Sequence, residues 1–186
     1  MKPAREKGAG GRGGMPQAGR LLGSLVAWLA LYGLALAVYN ALPHFREAMI
    51  HRFQVVPSVW LLGRTMPGVP FQAAGISIGT SGLEVKIMSG CDGVEGWLLL
   101  VSAMLVFPMS WRRRWLGVAC GTGLVYGLNL VRIVSLVHIA VQKPEWMEAA
   151  HLVVWQSLVV LVVGAFVLVW LEPRHDAESV AKGEGR

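Results

Sequence analysis

The sequence predicts an all-α polytopic membrane protein with four transmembrane helices, a small β-hairpin on the outer face and an amphipathic segment at the interface. Three observations carry that prediction. Of the 186 residues, 54% are apolar and eight are Trp, a composition that describes an integral membrane protein of one domain. Residues 21–40 and 152–171 carry no formal charge and match the ~20 residues that cross a hydrocarbon core of about 30 Å. Residues 94–110 and 115–141 are further spans with polar content, Glu95 in the first and Arg132 with His138 in the second.

A basic stretch precedes the first run, as in a signal peptide. Its apolar core is too long, however, and no small-x-small cleavage site follows before Pro43, so it is read as a retained anchor. Residues 1–20 carry five Lys and Arg, and the Trp111-Arg112-Arg113-Arg114-Trp115 turn carries three, against four in the 53 residues from 41 to 93. By the positive-inside rule both tails, 1–20 and 172–186, and that turn are cytoplasmic. The net charge of +6 then serves topology and attraction to lipid headgroups, and no nucleic-acid partner is expected. Both tails read as disordered.

Four spans with the amino terminus inside place residues 41–93 and 142–150 outside. Residues 44–64 read as an amphipathic piece lying on the membrane and broken by Pro57. After the Pro67-Gly68-Val69-Pro70 turn, residues 71–78 and 83–88 flank Gly79-Thr80-Ser81-Gly82 as a hairpin would. Such a hairpin delivers Ser89-Gly90-Cys91-Asp92-Gly93 to the top of the second span.

A charge inside an apolar run is expensive, so Arg132 is by default a functional residue. Snorkelling and binding of a lipid phosphate are its plainer readings. At 1.5 Å per residue it lies about 24 Å along the third span, roughly 6 Å below the outer surface. Asn129, three residues earlier, shares its face and is placed to hold the guanidinium. Gly117 with Gly121, and Gly123 with Gly127, form small-xxx-small pairs that let neighbouring helices approach.

Cys91 reads either as a small buried hydrophobe or as a reactive thiol. A disulfide with Cys120 is excluded, because the two lie on the order of 20 Å apart along straight helices and a bridge needs Cα atoms within ~7 Å. Between Gly90 and Gly93 at a helix start, amides and helix dipole lower a thiol pKa and can hold an oxyanion. Cys120, among Gly117, Ala119 and Gly121, reads as packing. His151 opens the fourth span on the side of Cys91, either merely solvated or a general base. His138 is turned by about 120° from the Arg132 face and reads as a satisfied interfacial histidine. No His-x-x-x-His or Cys-x-x-Cys spacing occurs, so no metal and no cofactor are expected.

Ser-Gly-Cys-Asp-Gly at 89–93, Asn-x-x-Arg at 129–132 and a histidine opening the next span resemble the exosortase/archaeosortase family over residues 70–160. The four-span layout is similar to the compact exosortase H branch. The resemblance implies a membrane cysteine transpeptidase that cleaves a carboxy-terminal sorting signal on exported proteins: a short motif, a hydrophobic helix and a basic end. Carried over, Cys91 is the nucleophile, Arg132 the transition-state stabiliser and His151 the acid/base, with Asn129, Gly90 and Asp92 supporting. Leu152 stands where many members have an acidic residue, which leaves His138 as a second candidate histidine. The competing reading is a non-enzymatic membrane scaffold or small transporter in which Arg132 binds an anion.

Overall fold

Helices dominate the computed structural model, which describes residues 17–88 and 90–171, with one three-stranded sheet among them. The two tails lie outside the described residues apart from positions 17–20, as does Ser89. Three helical segments are long and apolar enough to cross a membrane: Leu21–Ala41, Trp111–Gln142 and Pro144–Leu171. The first belongs to α1 (Gln17–Ala41), which stops just before Pro43.

The fourth expected span is shorter than predicted. Helix α4 covers Val94–Val106, 13 residues, or about 20 Å against the ~30 Å of a hydrocarbon core. Pro108 is the cause: Phe107 is extended, at φ −74° and ψ 141°, as the residue before a proline is driven to be. The chain re-enters helix at Trp111, so Arg112, Arg113 and Arg114 form the first turn of α5 (Trp111–Gln142) and are not a loop. Pro144–Trp146, expected in a loop, is likewise a 3₁₀ turn. It leads through α6 (Met147–Ala149) and a π-helical turn, Ala150–Trp155, into α7 (Gln156–Leu171).

Side-chain contacts fix the directions of these helices. Trp28 of α1 donates from Nε1 to the Leu99 carbonyl (3.2 Å) and packs on Phe107, while Tyr39 reaches Asp92. Gly121 of α5 faces Leu100 and Phe166, and Gly117 faces Trp170. Successive long elements therefore alternate in direction. One end gathers the 90–93 loop, Arg132 and His151; the other gathers Arg113 and Trp170, whose indole donates to the Arg113 carbonyl at 3.1 Å.

Residues 43–65 correct a second expectation. They form α2 (Pro43–Ile50), a π-helical turn (His51–Val55) and α3 (Val56–Thr65) in unbroken succession. Pro57, expected to break the segment, is accommodated directly after the π turn, where the π turn gives way to α3. Ile50, Val55 and Leu62 join Ile78, Ile87, Ile133 and Val137 in one buried cluster. One face of this segment thus packs on α5 and the sheet.

The sheet has three strands where a two-stranded hairpin was expected. β1 (Gln72–Ala74), β2 (Ser77–Thr80) and β3 (Leu83–Lys86) form an antiparallel meander in that order. Gly75, at φ +57°, folds the expected first strand back on itself, and Gly82, at φ +84°, turns β2 into β3. His51 Nδ1 lies 2.6 Å from the Gly75 carbonyl and ties the first π turn to this fold.

Candidate active site

The loop from Gly90 to Gly93 joins the sheet to α4 and carries the cysteine. Gly90 and Gly93 have φ +89° and +75°, values that favour glycine. At Gly93 a second constraint applies: an added Cβ would lie 2.9 Å from Asn129 Cγ, so any side chain there would strike α5. The Cys91 amide closes a turn onto the Met88 carbonyl (3.0 Å).

Three elements grip this loop through its polar groups. From α1, Tyr39 Oη donates to Asp92 Oδ2 at 2.7 Å, and Asp92 Oδ1 accepts the Val94 amide at 3.1 Å. From the first π turn, Gln54 Nε2 donates to the Asp92 carbonyl at 3.1 Å. From α5, Asn129 Nδ2 donates to the Cys91 carbonyl and to Gln54 Oε1, both at 3.1 Å. Asp92 and Asn129 are each 2% exposed. Such interior polar groups hold their positions because every lost partner leaves a desolvated donor or acceptor behind.

Cys91, Arg132 and His151, read separately from the sequence, come together. Cys91 Sγ lies 2.7 Å from His151 Nε2. Arg132 Nη2 is 3.8 Å from the same sulfur, and Nη1 donates to the Gly90 carbonyl at 3.3 Å. Arg132 is 3% exposed and its Nε has no hydrogen-bond partner.

Several particulars differ from the sequence reading. Asn129 does not hold the guanidinium; it reaches the Cys91 carbonyl. His151 does not open a helix after a loop, since it lies inside the second π turn. Cys91 precedes α4 by two residues, and burial pushes its thiol up, opposing the lowering expected from amides and dipole. The Arg132 guanidinium works against that shift, while Asp92 and Glu95 add to it. Burial thus disfavours the thiolate at this position. His138 Nδ1 lies 2.8 Å from the Val134 carbonyl on its own helix. Cys120 is exposed and not packed, and both cysteines are free. Gly123 and Gly127 have nothing within 4 Å of an added Cβ, so only the Gly117 and Gly121 pair serves helix contact.

Tyr39 and Gln54 escaped the sequence reading. A signal for Gln54 was present: Ile50, Gln54, Ser58 and Leu62 recur every fourth residue, a stripe on one helical face. All four are buried. Gln54, with a donor and an acceptor in the middle of that stripe, finds both partners in the interior.

A thiol within hydrogen-bond range of an imidazole, with a buried guanidinium 3.8 Å from the same sulfur, is a set that supports nucleophilic attack on a carbonyl. No family model, no curated protein and no solved structure matches this chain.

Proposed function

We propose that this chain is a membrane cysteine protease or transpeptidase resembling exosortases, which cleaves a carboxy-terminal sorting signal of exported proteins through a thioester acyl-enzyme. The observation that carries the reading is the 2.7 Å approach of Cys91 Sγ to His151 Nε2, with Arg132 Nη2 at 3.8 Å. Burial disfavours a resting thiolate, so the proton passes to His151 as Sγ attacks the scissile carbonyl. The carbonyl π electrons move to oxygen, Arg132 stabilises the charge that develops, and imidazolium returns the proton to the leaving amine. An acceptor nucleophile then releases the acyl group and regenerates the thiol.

The topology proposed with this chemistry has four crossings in a cell inner membrane, both termini cytoplasmic and the site on the outer face. The excess of Lys and Arg in residues 1–20 and in the first turn of α5 supports that orientation. The extended stretch after α4 supplies the reach that its 13 residues lack. The hydrophobic helix of the substrate lies in lipid beside the bundle and presents its short motif to Cys91.

Processing of a co-expressed exported protein with such a signal, followed by its change in mass, is the test. Cys91→Ala, Cys91→Ser and His151→Ala should abolish processing at unchanged protein level, whereas Cys120→Ala and His138→Ala should retain it. Full activity in Cys91→Ala would end the proposal, and loss in His138→Ala alone would reassign the base.

A further inference from the structure

Strand β3 has β2 on one side only, since the sheet runs β1, β2, β3. No other strand or helix among the described residues runs along its second side. The ladder fixes which main-chain groups face that open edge. Ile87 donates to the Ile76 carbonyl at 2.9 Å, in the same register that sets Val85 opposite Ile78 and Leu83 opposite Thr80. Bonded and unbonded pairs alternate along an antiparallel ladder, so Glu84 and Lys86, which lie between these bonded positions, turn their N–H and C=O away from β2. Their side chains are exposed and leave from the face of the sheet, so they do not cover its edge.

Shortness and charge are the usual guards of an exposed edge, and β3 has both. Its course goes beyond what a guarded edge requires. A cleft of about 490 Å³ is lined by Leu83 together with Ala140 and Val141, so β3 begins beside the end of α5. Past its last residue, Gly90 accepts from Arg132, which lies about 12 Å back along α5 from Ala140. β3 therefore descends beside α5 from the end of that helix to the level of the thiol. Met88 is 62% exposed, and its carbonyl is taken by the Cys91 amide at 3.0 Å. The open edge thus stops where the cysteine loop starts.

Resting on the acyl-transfer reading and its topology, we infer that the free edge of β3 is the docking strand for the substrate. The extended segment between the exported part and the hydrophobic helix adds as a fourth strand, bonded to the main chain of Glu84 and Lys86, and delivers its scissile carbonyl to Cys91. With the exported part outside and the hydrophobic helix in lipid, this segment runs from the end of α5 toward the thiol. That is the direction of β3 from Leu83 to Lys86, so the two strands pair in parallel. Strand addition draws its affinity from main-chain groups, and it holds the segment extended as it passes the sulfur.

Proline at an outward-facing position removes a donor to the added strand and leaves the ladder with β2 intact. The probe is a synthetic peptide spanning the site at which the co-expressed protein is cut, with its hydrophobic helix, presented in detergent to the purified full-length chain. Glu84→Pro and Lys86→Pro should raise its KM about threefold to tenfold above that of Glu84→Ala and Lys86→Ala, the worth of one main-chain hydrogen bond. N-methylation of the peptide, one amide at a time upstream of the scissile bond, uses the unaltered chain and serves if a proline variant does not accumulate. Losses of about the same size should recur at every second position, because alternate amides of a strand face its neighbour. Equal KM in the proline and alanine variants, or N-methyl losses without that period, would overturn the inference, while Cys91-dependent cleavage of the parent peptide leaves the acyl-transfer reading intact. Absence of Cys91-dependent cleavage by the parent chain would overturn both.

Discussion

The two halves of α5 differ in the contacts that place their neighbours. Near Trp111 the helix is joined by space: Gly117 and Gly121 carry no side chain, and Trp170, Phe166 and Leu100 occupy the room. Toward Gln142 it is joined by polar groups: Asn129 and Arg132 reach Gly90 and Cys91 in the 90–93 loop, and Asn129 also reaches Gln54 in the first π turn. The first kind of contact is non-directional and sets how closely helices lie. The second is directional and sets where a sulfur and two carbonyls point. One helix thus provides both the stability of the bundle and the geometry of the site, and substitutions in its two halves should fail differently.

The largest expected effect is at the polar half. Arg132→Lys keeps the charge but loses the planar fork that spans Gly90 and Cys91, so turnover should fall by a factor of about 10² or more, as on loss of an oxyanion donor. Protein level should change little. Activity that falls only in proportion to protein level would make Arg132 a structural residue and erase the contrast.

The glycine half should give the reverse pattern. At Gly121 an added Cβ would lie 2.5 Å from Leu100 Cδ1, and at Gly117 it would lie 2.9 Å from Trp170 Cδ1. Leu100 is fully buried and the Trp170 indole is held by the Arg113 carbonyl, so neither moves aside cheaply. Gly117→Val and Gly121→Val should therefore lower the unfolding free energy by about 1–3 kcal/mol each, the usual cost of overpacking. Gly123→Val and Gly127→Val should show no such clash. Thermal unfolding in detergent measures this, and activity per folded molecule should be unaffected. A full loss of turnover in a well-folded Gly121→Val would show that the halves are not independent.

The smallest effect concerns the thiol. Burial raises Cys91 and the guanidinium lowers it, while Asp92 and Glu95 raise it further. Thiolate forms as pH rises through the folded value, so the alkylation midpoint of the parent chain should lie above that of an ordinary thiol. Glu95→Gln removes an exposed charge that opposes ionisation, so the midpoint should move down by less than one unit, given how strongly solvent screens such a group. An upward shift would contradict the assigned sign.

Much of the site was legible because its members break local rules. Arg132 is a charge in an apolar run, and Cys91 stands between glycines that no helix or strand would favour. Topology drawn from basic residues was enough to bring them and His151 to one side. What escaped depended on distance along the chain. Gln54 meets Asn129 across 75 positions and the Asp92 carbonyl across 38, and periodicity in one segment cannot disclose a partner in another. The raised thiol escaped for a related reason: dipole and glycine neighbours are local and visible, whereas burial is a property of the assembled fold. The short α4 was, by contrast, readable in advance, since Pro108 alone forces Phe107 out of helix. The third strand was written in Gly75, whose positive φ the alternating pattern around it concealed.

The account rests on Cys91 forming a covalent bond to an acyl group, and capture of that bond tests it most directly. Membranes from cells co-expressing the chain with an exported protein bearing a hydrophobic, basic-ended carboxy-terminal signal are denatured at acid pH, which preserves thioesters, and the adduct is located by peptide mass. The account predicts a hydroxylamine-labile link between Cys91 and the new carboxy terminus of the substrate, lost in Cys91→Ala and retained in Cys120→Ala. Processing that proceeds in Cys91→Ala, or an adduct found on Cys120 alone, would contradict it.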